Sequence, residues 1–312
     1  MHKIKKQILL KIQGSGMGDT LAASAILRKI SQIYNSKILV KSCYPDLFKN
    51  NPHVAFHFHL NEYIDERNYE VFTCYKGLEN SKYHACLTAR SCAYDLGFEL
   101  LKNELTLDFY PDKTCIYDFR ALKNYICLHT TSNWKNRTWK PEYWQKLVNF
   151  LQETDLNIVV TGKDYREIFY NGSSCEKKCF VPNGSKVINL TNDNSSISDL
   201  WYLINNACAI VTMDSGPLHL AGTTDTWIFQ IGSARHPELT NPYRNGSQEY
   251  KHEFIGGECQ LFCASNMKYS VKEWGTINST HFLPECQENY LELKCHPTPE
   301  QVYKRIKDKL KI

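Results

Sequence analysis

Three short segments and one group of cysteines carry the residue types that could do chemistry. The first segment is Gly14-Ser15-Gly16-Met17-Gly18-Asp19-Thr20. Its glycines let the backbone turn tightly and approach a ligand closely, and the helix that follows offers free N–H groups to an anion. Asp19 admits two readings: an acidic residue stabilised by the helix dipole, or a general base facing a cleft. The spacing G-x-G-x-G is not the dinucleotide fingerprint G-x-G-x-x-G, and no Walker lysine follows.

The second segment runs from Ser132 to Pro141 (SNWKNRTWKP). It holds three cations, Lys135, Arg137 and Lys140. Arg grips an anion bidentately and Lys adds a point charge, which suits a phosphate clamp. The competing reading is a solvated basic loop anchored to the core by Trp139 and Trp144.

The third segment is Met213-Asp214-Ser215-Gly216-Pro217-Leu218-His219-Leu220-Ala221-Gly222. A strand is expected to end at Asp214 and a helix to open at Ser215–Gly216, with Pro217 in its first turn. The N–H groups of Ser215, Gly216 and Leu218 and the Ser215 hydroxyl could hold a diphosphate. His219, taken on its own, reads as a core residue sooner than as a ligand.

Cys259, Cys263, Cys286 and Cys295 are separated by 3, 22 and 8 residues. Four thiolates can bind Zn²⁺ or iron tetrahedrally, with His252, His281 and His296 as alternative ligands. Four free thiols, or two disulfides formed only on oxidation, compete with that reading. The other nine of the 13 cysteines are scattered and read as small buried hydrophobes.

These segments need elements to position them. QILLKI, KILVKS, HVAFHFHL and YEVFTCY read as strands, with LAASAILRKISQIY as an amphipathic helix. The pattern restarts at YICLHT and continues through PEYWQKLVNFLQET (helix), NIVVTG and KVINLT (strands) and SISDLWYLINNA (helix). CAIVTMD (strand), SGPLHLAGTT (helix) and TWIFQIG (strand) follow. Such alternation predicts α/β architecture: two doubly wound parallel sheets facing a cleft, with ligands at the carboxyl ends of strands. PDKTCIYDFRALKN (111–124) reads as the linker. The expected domains are 1–118 and 119–312, the second including a Cys-rich segment at 255–296 and a C-terminal helix.

The chain has 312 residues, 42% of them apolar, enough for two packed cores and too much for a disordered chain. A net charge of +4 gives no support to nucleic-acid binding but allows a local basic pocket. No apolar run is long enough to span a membrane, and the N-terminal ILLKI reads as a strand rather than a signal peptide, so a cytoplasmic location is expected.

Together the three segments resemble the ADP-heptose:lipopolysaccharide heptosyltransferase family. D-S-G-P-L-H-L-A-G, the glycine loop ending in G-D-T-L, and W-K-P-E-Y-W follow in the family's order. I-G-S-A-R-H-P-E-L-T-N-P-Y is similar to the family's segment after the next strand, so the resemblance covers roughly residues 8–245. It implies an inverting glycosyltransferase of GT-B type with two Rossmann-like domains and no cofactor for catalysis. The N-terminal half would hold the acceptor and the C-terminal half the nucleotide sugar. Asp19 falls on the catalytic-base position. Lys135 or Arg137 falls near the phosphate-binding lysine, and Asp214, Ser215, Gly216 and His219 match the donor motif. Gly18, Thr20 and Ser132 complete the expected donor contacts. Autotransporter-type protein heptosyltransferases look similar and carry a four-cysteine iron site, which implies a structural Fe or Zn ion at Cys259, Cys263, Cys286 and Cys295.

The expected partners are a nucleotide sugar, foremost ADP-heptose, and a protein or lipopolysaccharide-core acceptor, with homo-oligomerisation left open. A non-catalytic sugar-nucleotide-binding or assembly protein is the alternative, and a base at Asp19 argues against it. A nucleotide-dependent oxidoreductase is disfavoured by the glycine spacing and by the lack of an acidic residue at the expected strand end.

Overall fold

The computed structural model describes residues 6–13, 16–74, 93, 96–132, 137–168, 174–193, 195–260, 262 and 294–312. Four strands open the chain: β1 (Gln7–Ile12), β2 (Ile38–Ser42), β3 (Val54–His59) and β4 (Tyr69–Cys74). They form a parallel sheet in the order β3-β2-β1-β4. The one helix expected at its start is two, α1 (Met17–Ala22) and α2 (Ser24–Tyr34), hinged at Ala23. Ala25, Ile26, Leu27 and Ile30 form the buried stripe of α2. The helix stops at Asn35, which takes the left-handed conformation (φ 48°) that Asn tolerates.

The linker carries a short helix, α3 (Phe119–Leu122), and β5 (Tyr125–His129) follows it. Next come α4 (Pro141–Leu151), β6 (Asn157–Gly162), an antiparallel hairpin β7 (Tyr165–Ile168) and β8 (Ser174–Lys177), and β9 (Val187–Thr191). The chain continues through α5 (Ile197–Asn205), β10 (Ala209–Thr212), α6 (Gly216–Ala221) and β11 (Trp227–Ile231). It ends with α7 (Pro237–Thr240), β12 (His252–Ile255) and α8 (Pro299–Leu310). The second sheet is parallel, in the order β12-β11-β10-β5-β6-β9. Counted from β5, that is the 3-2-1-4-5-6 order of a Rossmann fold.

Strand β5 explains the layers. All five of its residues are buried, as expected of a strand covered on both faces. Tyr125 and Cys127 join Leu203, Ile204 and Leu218 in a core that continues to Ile8, Leu10 and Ile12 of the first sheet. Ile126 and Leu128 point the other way, to Trp144, Leu147 and Leu151 of α4 and Val302 and Ile306 of α8. The period-2 alternation thus feeds two cores from one strand. Among the described residues no helix is long and apolar enough to cross a membrane.

Besides the split helix, two expectations change. The strand expected to end at Asp214 ends at Thr212, two residues earlier. The hairpin β7–β8 and the strand β12 have no counterpart in the sequence reading, because YREI, SCEK and HEFI are too short and polar to show a period. The linker is hydrogen-bonded to the second half. Asp112 N–H donates to Ser198 Oγ (2.9 Å), Ile116 N–H to Asp199 Oδ1 (2.9 Å), and the Tyr117 hydroxyl to Asp193. Tyr202 donates back to the Asp112 carbonyl (2.8 Å).

The far side of the second sheet is fastened by one buried guanidinium. Arg244 donates to the carbonyls of Thr224 (3.0 Å), Thr226 (2.8 Å), Tyr250 (2.6 Å) and Lys251 (2.5 Å), joining the turns that lead into β11 and β12. Arg244→Met keeps the aliphatic bulk and takes the donor from those carbonyls, of which that of Lys251 keeps a second donor, Ile228 N–H (2.9 Å). The expected loss is about 3–5 kcal/mol, from buried acceptors at roughly 1–3 kcal/mol each with partial relief by water. Urea unfolding at pH 7 measures it, and a change below about 0.5 kcal/mol contradicts the fastening role.

Candidate functional site

In each sheet the strand order reverses beside the first strand, between β1 and β4 and between β5 and β10. Ligands of such sheets bind outside the carboxyl ends at that reversal. Here both reversals border one cleft of about 500 Å³. The first sheet supplies Gly16 to Asp19 from the turn after β1, and Tyr44 from the turn after β2. The second supplies residues from the ends of five strands, among them His129, Lys163, Asp193, Asp214 and Arg235.

Two glycines bring the walls together. A Cβ on Gly18 would stand 2.4 Å from Cδ2 of His219, and one on Gly216 would stand 2.5 Å from Cε of Met17. Helices α1 and α6 therefore touch at their first turns because each offers a missing side chain to the other. That contact sets Asp19 opposite Asp214.

Asp214 is the centre of the second wall. Its carboxylate meets Nη1 of Arg137 at 3.0 Å and Nη1 of Arg235 at 3.6 Å, both at Oδ2, and Nε2 of His219 lies 3.7 Å from Oδ1. The side chain is only 5% exposed. Burial alone would raise its pKa. Arg137, the nearby His219 imidazole, and Arg235 outweigh burial and hold the carboxyl far below the usual carboxylate range. Burial pulls Arg137 down to about 10, which leaves it charged at neutral pH.

Asp19 behaves in the opposite way. Desolvation raises its pKa, His219, Arg235 and Arg137 work against the rise, and the Asp214 charge adds to it. His129, buried at the end of β5, is lowered to about 4 and is neutral at physiological pH. Its Nδ1 lies 3.4 Å from the hydroxyls of both Thr212 and Ser215.

The structure brings Gly18, Asp19, Arg137, Asp214, Ser215, Gly216 and His219 to this cleft. Arg137 reaches it because the loop is pinned behind it, so the anchoring role of the tryptophans and the inward cation coexist. Trp139 donates Nε1–H to the Pro297 carbonyl (2.9 Å) and packs edge-to-face on Trp144. Thr20 stands behind the wall, fully buried, with its hydroxyl donating to the Gly16 carbonyl (3.0 Å). Ser132 is also buried. The N–H of Leu218, expected to be free for an anion, donates to the Ser215 carbonyl (3.1 Å). Lys135 lies outside the described residues.

Arg235, Lys163, Asp193 and His129 escaped the sequence reading. Each lies at or just beyond a strand's carboxyl end, and Arg235 also stands in the I-G-S-A-R-H-P-E-L segment noted in the sequence, where it was not singled out.

Of the four cysteines, Cys263 and Cys286 lie outside the described residues. Cys259 and Cys295 are drawn alongside by their backbone. Cys259 N–H donates to the Lys294 carbonyl (3.0 Å) and Gly257 N–H to the Cys295 carbonyl (2.9 Å). Among the described residues no group of three or more metal-ligating side chains forms. His252, an alternative ligand on sequence grounds, is held between the Gln248 carbonyl and Gln230 Oε1, both at 3.0 Å.

A family model described as glycosyltransferase family 9 (heptosyltransferase) matches residues 82–253. Among solved structures the chain is similar to the iron-containing dodecameric glycosyltransferase TibC from enterotoxigenic E. coli H10407. The identity is 13% over 98% of this chain and 77% of that one, with a TM-score of 0.72. It is similar to a family 9 glycosyl transferase from Veillonella parvula DSM 2008, with 11% identity, 99% and 98% coverage and a TM-score of 0.60. It is also similar to E. coli ADP-heptose lps heptosyltransferase II, with 14% identity, 87% and 98% coverage and a TM-score of 0.53. At these identities the likeness is one of fold, the GT-B pair of Rossmann-like domains. No curated protein sequence matches the chain.

The ion cluster carries its own prediction. Asp214→Asn takes the counter-charge of their own wall from Arg137 and Arg235. It should cost about 3–5 kcal/mol at pH 7, as breaking a buried pair does. Because the folded pKa is depressed, this contribution is present above the unfolded value near 4 and is lost as pH falls through the folded one. Denaturant titrations at pH 7 and pH 3 should show a smaller difference at pH 3. An equal or larger difference at pH 3 contradicts an ionised Asp214.

Proposed function

Because the chain belongs to glycosyltransferase family 9, the heptosyltransferase family, it is a glycosyltransferase, and we propose that its donor is ADP-heptose. The acceptor is a protein hydroxyl or a lipopolysaccharide core, and transfer proceeds with inversion. The observation that carries this reading is the single cleft in which Asp19 faces Asp214 and its guanidiniums from the other sheet. TibC has been determined in complex with ADP-D-β-D-heptose, which favours that donor for a chain of the same fold.

The acceptor hydroxyl attacks the anomeric carbon while Asp19 takes its proton. The bond from that carbon to the phosphate oxygen breaks, and its electron pair leaves with the nucleoside diphosphate. A base is needed on one face of the sugar and cations on the other. Arg137 and Lys135 meet the diphosphate, with Ser215, Gly216 and His219 beside them. Asp214 holds Arg137 in place and does not touch the diphosphate, since two anions repel. Residues 1–118 form the acceptor side and 119–312 the donor side. A nucleotide-sugar donor agrees with the cytoplasmic location expected from the sequence.

Cys259, Cys263, Cys286 and Cys295 hold a structural iron or zinc ion on this reading. The pairing that draws Cys259 to Cys295 supports it, as does the fit of thiolates to such metals. The ion would supply a crosslink and take no part in transfer. TibC is described as dodecameric, which favours self-association here too.

A binding screen against ADP-, GDP- and UDP-sugars tests the donor, with ADP-heptose expected to bind best. Asp19→Asn should lower kcat by roughly 10²–10⁴ while donor affinity stays nearly intact. Near-normal turnover would reduce Asp19 to a helix-start residue. Because the Asp19 pKa is raised, kcat/KM should fall with decreasing pH already above the ordinary carboxylate range, as the base becomes protonated. For the cysteines, elemental analysis of untagged protein should find about one equivalent of iron or zinc, as one four-thiolate site requires. Cys259→Ser should lose it. A metal content below about a tenth of an equivalent sinks the site.

A further inference from the structure

The turn after β11 sends a second guanidinium into the cleft. Arg235 follows Gly232 and Ser233, and its N–H donates to Ser233 Oγ (3.3 Å), which fixes the turn. Its side chain is 21% exposed, lines the cleft and lies 3.6 Å from Asp214. Arg137 comes from the loop after β5, and Arg235 comes from the loop after β11. These strands are the two neighbours of β10, so the guanidiniums reach Asp214 from opposite sides.

We propose that Arg235 is the second arm of a diphosphate clamp, with Arg137 as the first and Asp214 as the counter-ion between them. This rests on the reading of the donor as a nucleoside diphosphate sugar. Two mutually repelling cations converge on one carboxylate in a mostly buried place. Asp214 answers them within this wall and Asp19 feels both from the facing wall, so the two guanidiniums border the space between the walls. Holding like charges together out of water is costly unless an anion joins them. A diphosphate has phosphoryl oxygens on both of its phosphorus atoms and can take a planar, two-donor grip from each side. As the bond from sugar to phosphate breaks, the leaving group gains negative charge, and a cation on either flank stabilises it. Arg235 binds and stabilises the leaving group; it moves no proton.

The test uses the whole protein and two probes, ADP and inorganic pyrophosphate, with AMP as the control, titrated by calorimetry against wild type, Arg235→Gln and Arg235→Lys. Wild type should bind both probes. Arg235→Gln should weaken each about 10- to 100-fold, as expected for losing a charge-assisted contact. AMP should be weakened less than ADP. Arg235→Lys should recover part of the loss, because it restores the charge without the fork. The melting temperature of Arg235→Gln should stay level or rise, since a like charge is removed from beside Arg137. ADP binding within twofold of wild type in Arg235→Gln overturns the clamp and leaves the donor reading standing. A fall in melting temperature with an unchanged ratio of ADP to AMP affinity overturns it in favour of a structural arginine. Pyrophosphate bound by wild type and lost in Arg235→Gln, without turnover of ADP-heptose, keeps the clamp and removes the donor. Wild type that binds neither probe overturns both.

Discussion

One buried carboxylate organises the cleft. Asp214 sits two residues past the end of β10, a strand paired on both sides and buried along its length. An isolated carboxyl in that place would take up a proton, because burial penalises its charged form. The guanidinium of Arg137 at 3.0 Å, with Arg235 and His219 further out, keeps it ionised. The dependence runs both ways. The guanidiniums come from loops after β5 and β11, and the carboxylate is what those two loops share. The most constrained strand of the sheet therefore fixes charge on its two neighbours.

The second constraint is steric. Gly18 yields its side-chain space to His219, and Gly216 yields its own to Met17. The first turns of α1 and α6 can then meet, and the two halves of the chain share one cleft wall to wall. Asp19 inherits its character from that contact. It is desolvated by the approach of the second half, which raises its affinity for a proton, and it lies close enough to the cations to be drawn back. A carboxyl under both influences is suited to accept a proton and give it up again.

The supporting structure keeps the ends of strands in register. Trp139 ties the Arg137 loop to the start of α8 through the Pro297 carbonyl. The linker is bonded to α5 and to Asp193, a residue of the cleft. The joint between the halves and the floor of the site are thus parts of one hydrogen-bonded unit. Arg244 does comparable work at the opposite end of β11, where four carbonyls converge on it.

Much of this was legible in the residues themselves. The alternation of apolar runs in QILLKI and YICLH, the helical stripe of α2 and Pro141 at the start of α4 are local signals, and the elements follow them. Asp19, Arg137 and the Asp214–His219 segment could be picked out because glycine, cation and proline spacing at strand ends limits what a loop can do. Other features were not legible. YREI and HEFI are too short for a period, and the break at Ala23 leaves no trace in a run of helix-forming residues. Arg235 was one arginine among many until β11 was seen to lie beside β10. That the Asp214 carboxylate meets Arg137, that Leu218 spends its N–H on Ser215, and that Gly18 exists for His219 are facts of tertiary structure. Periodicity and turn chemistry act over a few residues and are written locally. The partners of a buried charge lie dozens of residues away, and only the order of strands in the sheet brings them together.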